Sequence, residues 1–158
     1  MDYFYNFEKI DYLRGKRPSG CILCLTRDDS PDVINMTVFR NDIISAALNL
    51  YPYNPGHLLI FPNRHVVDIR ELDSEERQAM DKLLDRSLEV LDKLYSPDAY
   101  NIGFNMGRTA GASVDHLHMH IIPRYPREIG FADLIAGTRV LVEDPKVSLE
   151  RLRAAFKP

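Results

Sequence analysis

Three histidines recur at every second position in the run His116-Leu117-His118-Met119-His120-Ile121-Ile122. On a strand, residues two apart share a face and lie about 6.5–7 Å apart. The spacing therefore predicts one face of three imidazoles and an opposite, core-directed face of Leu117, Met119 and Ile121. Packing alone is a poor reason to gather three imidazoles, since apolar side chains fill an interior at lower cost. Besides a plain surface strand, two chemistries use such a set. A three-histidine metal site asks all three rings to reach one ion, and a single strand spreads them too far for short metal–nitrogen bonds. A histidine nucleophile needs one ring aimed at the substrate, with its neighbours stabilising phosphate charge.

Two further sets of residues carry chemical potential. Cys21 and Cys24 are the only cysteines, spaced C-x-x-C. That spacing fits a metal knuckle, a redox pair or two free thiols. No βαβ pattern or helix start is expected after Cys24, which counts against the redox reading. The loop Gly107-Arg108-Thr109-Ala110-Gly111-Ala112-Ser113 is built of small residues. Small residues let backbone N–H groups approach an anion, and Arg108 adds charge. Taken alone the loop reads equally well as a simple turn; its place just before the histidine strand favours a functional part.

These residues need elements to position them. A short helix is expected over 7–13, broken by Gly15, Pro18 and Gly20. Met36–Arg40 and Ile43–Leu50 read as strands joined at Asn41-Asp42, a hairpin. Tyr51–Gly56 is a loop, and His57–Phe61 a buried strand ended by Pro62-Asn63. Ser74–Tyr95 is the clearest helix, with Ser74 as its cap and Met80, Leu83, Leu84, Leu88 and Leu91 at helical spacing. Tyr100–Met106 and His116–Ile122 are strands, and Val147–Phe156 a terminal helix. Hairpins with one long helix in non-alternating order imply an α+β fold, an antiparallel sheet with that helix and a short terminal one.

With 158 residues, the size is that of a single domain, 1–158, burying roughly 68–70% of its unfolded surface without disulfide staples. The formal net charge of -3 is spread along the chain. No nucleic acid held by bulk positive charge is expected, while a small nucleotide needs only a local pocket. No membrane partner is expected either, because apolar stretches such as Leu58–Phe61 are far too short to span a bilayer. With no basic and apolar leader at Met1-Asp2-Tyr3, the expected compartment is cytoplasmic.

The histidine run resembles the signature of the histidine triad superfamily, His-φ-His-φ-His-φ-φ with φ apolar. The run Asn54-Pro55-Gly56-His57-Leu58-Leu59-Ile60-Phe61-Pro62-Asn63-Arg64-His65 resembles that family's strand and loop, and the spacing from Asn49 to His57 also fits. The match extends over about 21–124. The text Leu48-Asn49-Leu50-Tyr51-Pro52-Tyr53-Asn54-Pro55-Gly56-His57 looks most like the longer bacterial members related to diadenosine tetraphosphate phosphorylases, a branch that the extensions at both ends also fit. The resemblance implies a histidine triad fold and nucleotidyl transfer or hydrolysis on dinucleoside polyphosphates.

By the same resemblance His118 is the nucleophile, attacking the α-phosphorus to form a nucleotidyl-histidine, while its other nitrogen donates to a backbone carbonyl. His120 and His57 sit beside the phosphate oxygens. Ser113 and Asn105 donate to those oxygens, Asn49 reaches the ribose, and the loop of Gly107, Arg108, Gly111 and Ala112 completes the substrate site. Many hydrolytic members carry Gln directly before this Ser. Ala112 leaves room there for a second anion, so inorganic phosphate is the expected acceptor.

The resemblance also implies a structural zinc held by Cys21, Cys24, His65 and His116, with His116 turned to the metal and away from the substrate. A homodimer is the usual state of the family. Water as acceptor, in a dinucleoside polyphosphate hydrolase or a nucleoside phosphoramidase, is the alternative chemistry. A nucleotide sensor or scaffold is the alternative of another class, against which the intact set of His57, His118 and His120 counts.

Overall fold

The computed structural model describes residues 18–126 and 143–157; the helix expected over 7–13 lies outside them. Helix α1 spans Ile22–Arg27. Strands β1 (Thr37–Arg40), β2 (Ile44–Leu48) and β3 (Leu58–Pro62) follow, then the long helix α2 (Ser74–Tyr95), β4 (Ala99–Phe104), β5 (Met119–Arg124) and helix α3 (Pro145–Ala155). Short 3-10 turns stand at Ile69–Glu71 and Arg108–Ala110.

The five strands form one antiparallel sheet in the order β1-β2-β3-β5-β4. Asn41 makes the β1–β2 turn as expected: its side-chain oxygen accepts from the N–H groups of Ile43 and Ile44. Strand alternation then sorts the side chains. Ile44, Ala46, Leu48, Leu58, Ile60, Met119 and Ile121 enter one core with Met80, Leu83, Val90 and Leu91 of α2 and Leu149 and Leu152 of α3. Ala47 and Phe61 face the other way and pack with Leu23 of α1. The sheet thus has a long-helix face and a face under α1, and His120, of opposite parity to Met119 and Ile121, falls on the second.

The α2 bounds agree with the periodicity, but the cap does not. Asp73, not Ser74, is the N-cap; its carboxylate accepts from the Glu76 N–H, and Glu76 reaches back to the Asp73 N–H. The box is Asp-x-x-Glu, one residue earlier than expected, and is worth on the order of 1 kcal/mol. Strand β5 also begins later than expected, at Met119, so His116 and His118 lie in the approach to the strand. Leu117 is tied there by its backbone, its N–H donating to the Val66 carbonyl at 2.7 Å.

Helix α1 was not anticipated. Its six residues are too few for periodicity to reveal, and tertiary burial of Leu23 and Thr26 holds it. Cys21 is its N-cap and Cys24 lies within it, so the absence of a helix near the cysteines no longer counts against redox chemistry. The chain leaves α1 through Asp29 at φ 53°. Asp tolerates this left-handed geometry, and Asn35 and Arg40 hold its carboxylate at 2.6 and 2.9 Å. Among the described residues no helix is long and apolar enough to cross a membrane.

Candidate functional site

The β2–β3 loop sets His57. Gly56 turns it at φ 79°, where a Cβ would meet Leu91 at 3.0 Å and both Pro123 and Tyr95 at 3.3 Å. The buried Asn54 amide donates to the Pro123 carbonyl at 2.6 Å, tying the loop to the end of β5. His57 is then fully enclosed, at 0% exposure. Its Nδ1 accepts the Tyr53 N–H at 3.1 Å, and the Tyr53 ring stacks on it at 5.4 Å. With Nδ1 accepting, the neutral ring carries its proton on Nε2. Nε2 lies 2.9 Å from His120 Nδ1 and donates to it. His120 must in turn carry its proton on Nε2.

His118 is fixed independently. Its Nδ1 is 2.6 Å from the His116 carbonyl oxygen, which can only accept. The proton sits on Nδ1, and Nε2 presents a lone pair. Burial lowers the pKa of His118 from the usual imidazole value. Burial, followed by neighbouring rings, brings His120 down to about 4 and His57 down to about 3. All three rings are neutral at pH 7, as a nucleophile and two oriented donors require.

His118 and His120 open on a cavity of about 430 Å³. Asn49 and Ser113 share its wall, so four of the residues singled out from sequence meet there. The others stand differently. His57 is behind His120 and not beside the cavity. Asn105 packs beneath the loop, its amide nitrogen 3.7 Å from where a Cβ on Gly111 would be. The N–H groups of Ala110, Gly111 and Ala112 bond to the carbonyls of Gly107 and Arg108. These three amides therefore do not form the anion cradle that the glycine content suggested. The Arg108 guanidinium is paired to Asp115 at 3.0 Å on the surface.

Sequence reasoning missed the rest of the cavity. Ile22, Leu23 and Thr26 of α1, with Val33, Ile34, Met36 and Leu50, give it an apolar wall, and Asp32 and Tyr51 add polar atoms. An apolar slot beside polar, neutral histidines suits a flat base joined to a phosphate. Ile22-Leu23 beside the cysteines was the available signal, and it is too short to specify a helix.

On the far side of α1, Cys21, Cys24, His65 and His116 bring their ligand atoms within 4.8 Å of one another. His116 Nε2 donates to the Pro62 carbonyl at 2.9 Å, leaving the Nδ1 lone pair facing the group. That Nδ1 is 3.4 Å from Cys21 Sγ, 3.5 Å from Cys24 Sγ and 3.3 Å from His65 Nδ1. Around a tetrahedral zinc, ordinary bond lengths imply about 3.3 Å between nitrogens and about 3.6 Å between nitrogen and sulfur. The residues fit a closed metal site, with the Pro62 carbonyl setting the tautomer of one ligand. Both cysteines are free. Burial and the neighbouring Cys21 push the Cys24 thiol up to about 11, so a cation must displace the thiol protons as it binds.

Residues 31–127 match the family model described as HIT domain. The chain is 35% identical over 111 residues to the AP-4-A phosphorylase of Mycobacterium tuberculosis, covering 70% of this chain and 57% of that one. It is 35% identical over 97 residues, 61% of this chain and 53% of the other, to the asymmetrical bis(5'-nucleosyl)-tetraphosphatase of Schizosaccharomyces pombe. The chain thus spans little more than half the length of these curated relatives. Among solved structures, a Zn-bound histidine triad family protein from Mycobacterium smegmatis matches with a TM-score of 0.70 at 25% identity, over 86% of this chain and 92% of that one.

Proposed function

Since this chain belongs to the HIT domain family, we propose that it transfers a nucleotidyl group from a dinucleoside polyphosphate through His118, with inorganic phosphate as acceptor. The observation that carries this reading is the 2.6 Å bond from His118 Nδ1–H to the His116 carbonyl, which leaves the Nε2 lone pair at a base-sized cavity. With diadenosine tetraphosphate, Nε2 attacks the α-phosphorus. A P–N bond forms, the bridging P–O bond breaks, and ATP leaves with the electron pair. His120 Nε2–H donates to a phosphate oxygen as its charge grows. An oxygen of inorganic phosphate then attacks the phosphorus, the P–N bond breaks and ADP leaves. Ser113 and Asn49, both at the cavity wall, hold the phosphate and ribose.

Names carried by the relatives above support the substrate class, and Ala112 supports the phosphate acceptor. The Cys21, Cys24, His65 and His116 set takes a structural zinc, which supplies cross-linking and no step of the reaction. A homodimer is part of this reading, supported by the exposed edge strand β4, where Ile102 is 44% exposed. So is the cytoplasm, where free thiols such as these persist.

The test is incubation with diadenosine tetraphosphate, with and without inorganic phosphate, followed by chromatography. ADP plus ATP supports the proposal. AMP plus ATP at millimolar phosphate makes the chain a hydrolase, and no turnover on dinucleoside polyphosphates sinks the substrate class.

A further inference from the structure

Helix α1 has two jobs on two sides. One side supplies Ile22, Leu23 and Thr26 to the cavity wall. The other supplies Cys24, with Cys21 at its start, to the His65 and His116 rings. We propose that Cys21 and Cys24 are positioning residues for nucleotide binding: with a cation on the four-residue set, they hold α1 in place as the wall of the base pocket. This inference rests on the nucleotide reading of the cavity.

The helix is short enough for such a tether to add to the packing that holds it. At six residues it is far below the length that is stable alone. Its N-cap, Cys21, makes no side-chain capping bond. The apolar contacts of Leu23 with Ala47 and Phe61 anchor its first turn to the sheet, and Arg27 anchors its end on the Asn63 carbonyl. Its first turn, where Ile22 and Leu23 meet the cavity, has the cysteines as its link to the catalytic segment. Without a cation that link is poor. Two Nδ1 atoms 3.3 Å apart then turn lone pairs on each other, unless a thiol or a ring proton intervenes.

The catalytic segment does not depend on the tether to the same degree. The Leu117 N–H is held by the Val66 carbonyl at 2.7 Å, and His116 Nε2–H by the Pro62 carbonyl at 2.9 Å. The carbonyl that sets the His118 tautomer is therefore secured by β3 and the loop after it. Losing the cation should loosen the base wall more than the nucleophile. Substrate affinity should fall while turnover at saturation is largely kept.

The experiment measures AMP and GMP binding by calorimetry to zinc-loaded protein, chelated protein and Cys24→Ser. Kinetics at varied diadenosine tetraphosphate and amide hydrogen exchange accompany it. The expected result is a dissociation constant raised at least tenfold without zinc, and a KM raised similarly with kcat changed less than threefold. The Leu25 and Asp28 amides, bonded to the carbonyls of Cys21 and Cys24, should exchange faster on chelation while those of β2 and β3 keep their protection. Should Cys24→Ser not fold, His65→Ala takes its place, since His65 is the exposed ligand. Its AMP affinity should rise as zinc is added. By linkage, AMP should tighten zinc binding to that variant by the same factor. Equal AMP affinity with and without zinc in folded protein overturns this inference alone. If zinc-loaded wild type binds neither nucleotide, the nucleotide reading falls and the inference falls with it.

Discussion

His57 Nε2 lies 2.9 Å from His120 Nδ1, with the other His57 nitrogen already taken by the Tyr53 N–H at 3.1 Å. The backbone of one loop thus dictates which nitrogen of His120 carries a proton toward the cavity. His57 is enclosed at 0% exposure, so in the proposed reaction it acts through His120. His57→Leu removes the donor and should lower kcat about ten- to a hundredfold with little change in KM, on the scale of about 1.4 kcal/mol per factor of ten. His57→Gln, which keeps an N–H donor, should recover part of the loss. Equal activity in His57→Leu and wild type contradicts the relay.

His118→Ala should abolish turnover while leaving the circular dichroism spectrum and melting temperature near those of wild type. In the proposed reaction the substitution removes a covalent nucleophile, which closes the two-step route and costs several orders of magnitude, about 10³-fold or more. Retention of more than about a tenth of the activity would mean another group attacks the phosphorus.

Burial brings His57 to about 3, and His120 and His116 to about 4. In the unfolded chain these imidazoles titrate at about 6.5. As pH falls, the unfolded state takes up protons first, so stability drops with pH. This contribution is complete above about pH 6.5 and is lost progressively as pH falls from there toward 4, before most carboxylates respond. Chelated protein should melt at lower temperature at pH 5 than at pH 7, and His120→Asn should flatten the slope. A melting temperature flat between these two values is the contrary result.

Metal analysis of protein purified without chelator should find one zinc per chain, and chelation should lower the melting temperature, because binding energy in a closed site is folding energy. Zinc-free protein with unchanged stability, or a Cys21–Cys24 disulfide in the purified chain, removes the metal reading.

Ala112→Gln tests the acceptor. The proposed acceptor preference takes Ala112 to leave room for a second anion beside Ser113, which a glutamine side chain would fill. At saturating phosphate the variant should shift product from ADP toward AMP, read from the nucleotide ratio by chromatography. Product ratios identical to wild type would show that Ala112 does not select the acceptor.

Alternation and composition made much of this protein legible as a line of residues. The period of two in His116–Ile122 separates His120 from Met119 and Ile121, and those two apolar residues do enter the long-helix core. The apolar spacing in Ser74–Tyr95 marks the α2 bounds, because a helix of 22 residues repeats its pattern many times. The pairing of Cys21 and Cys24 with His65 and His116 came from resemblance, and these four do converge. The tertiary structure decided the matters that depend on distant partners. The proton positions on His57, His118 and His116 follow from Tyr53 N–H and from the carbonyls of His116 and Pro62, atoms that every residue carries and no side-chain pattern announces. Helix α1 is too short to show a period and exists by packing on Ala47 and Phe61. Its double position, against the cavity on one side and the His65–His116 pair on the other, arises only when the chain brings Cys21 to a residue 95 positions away.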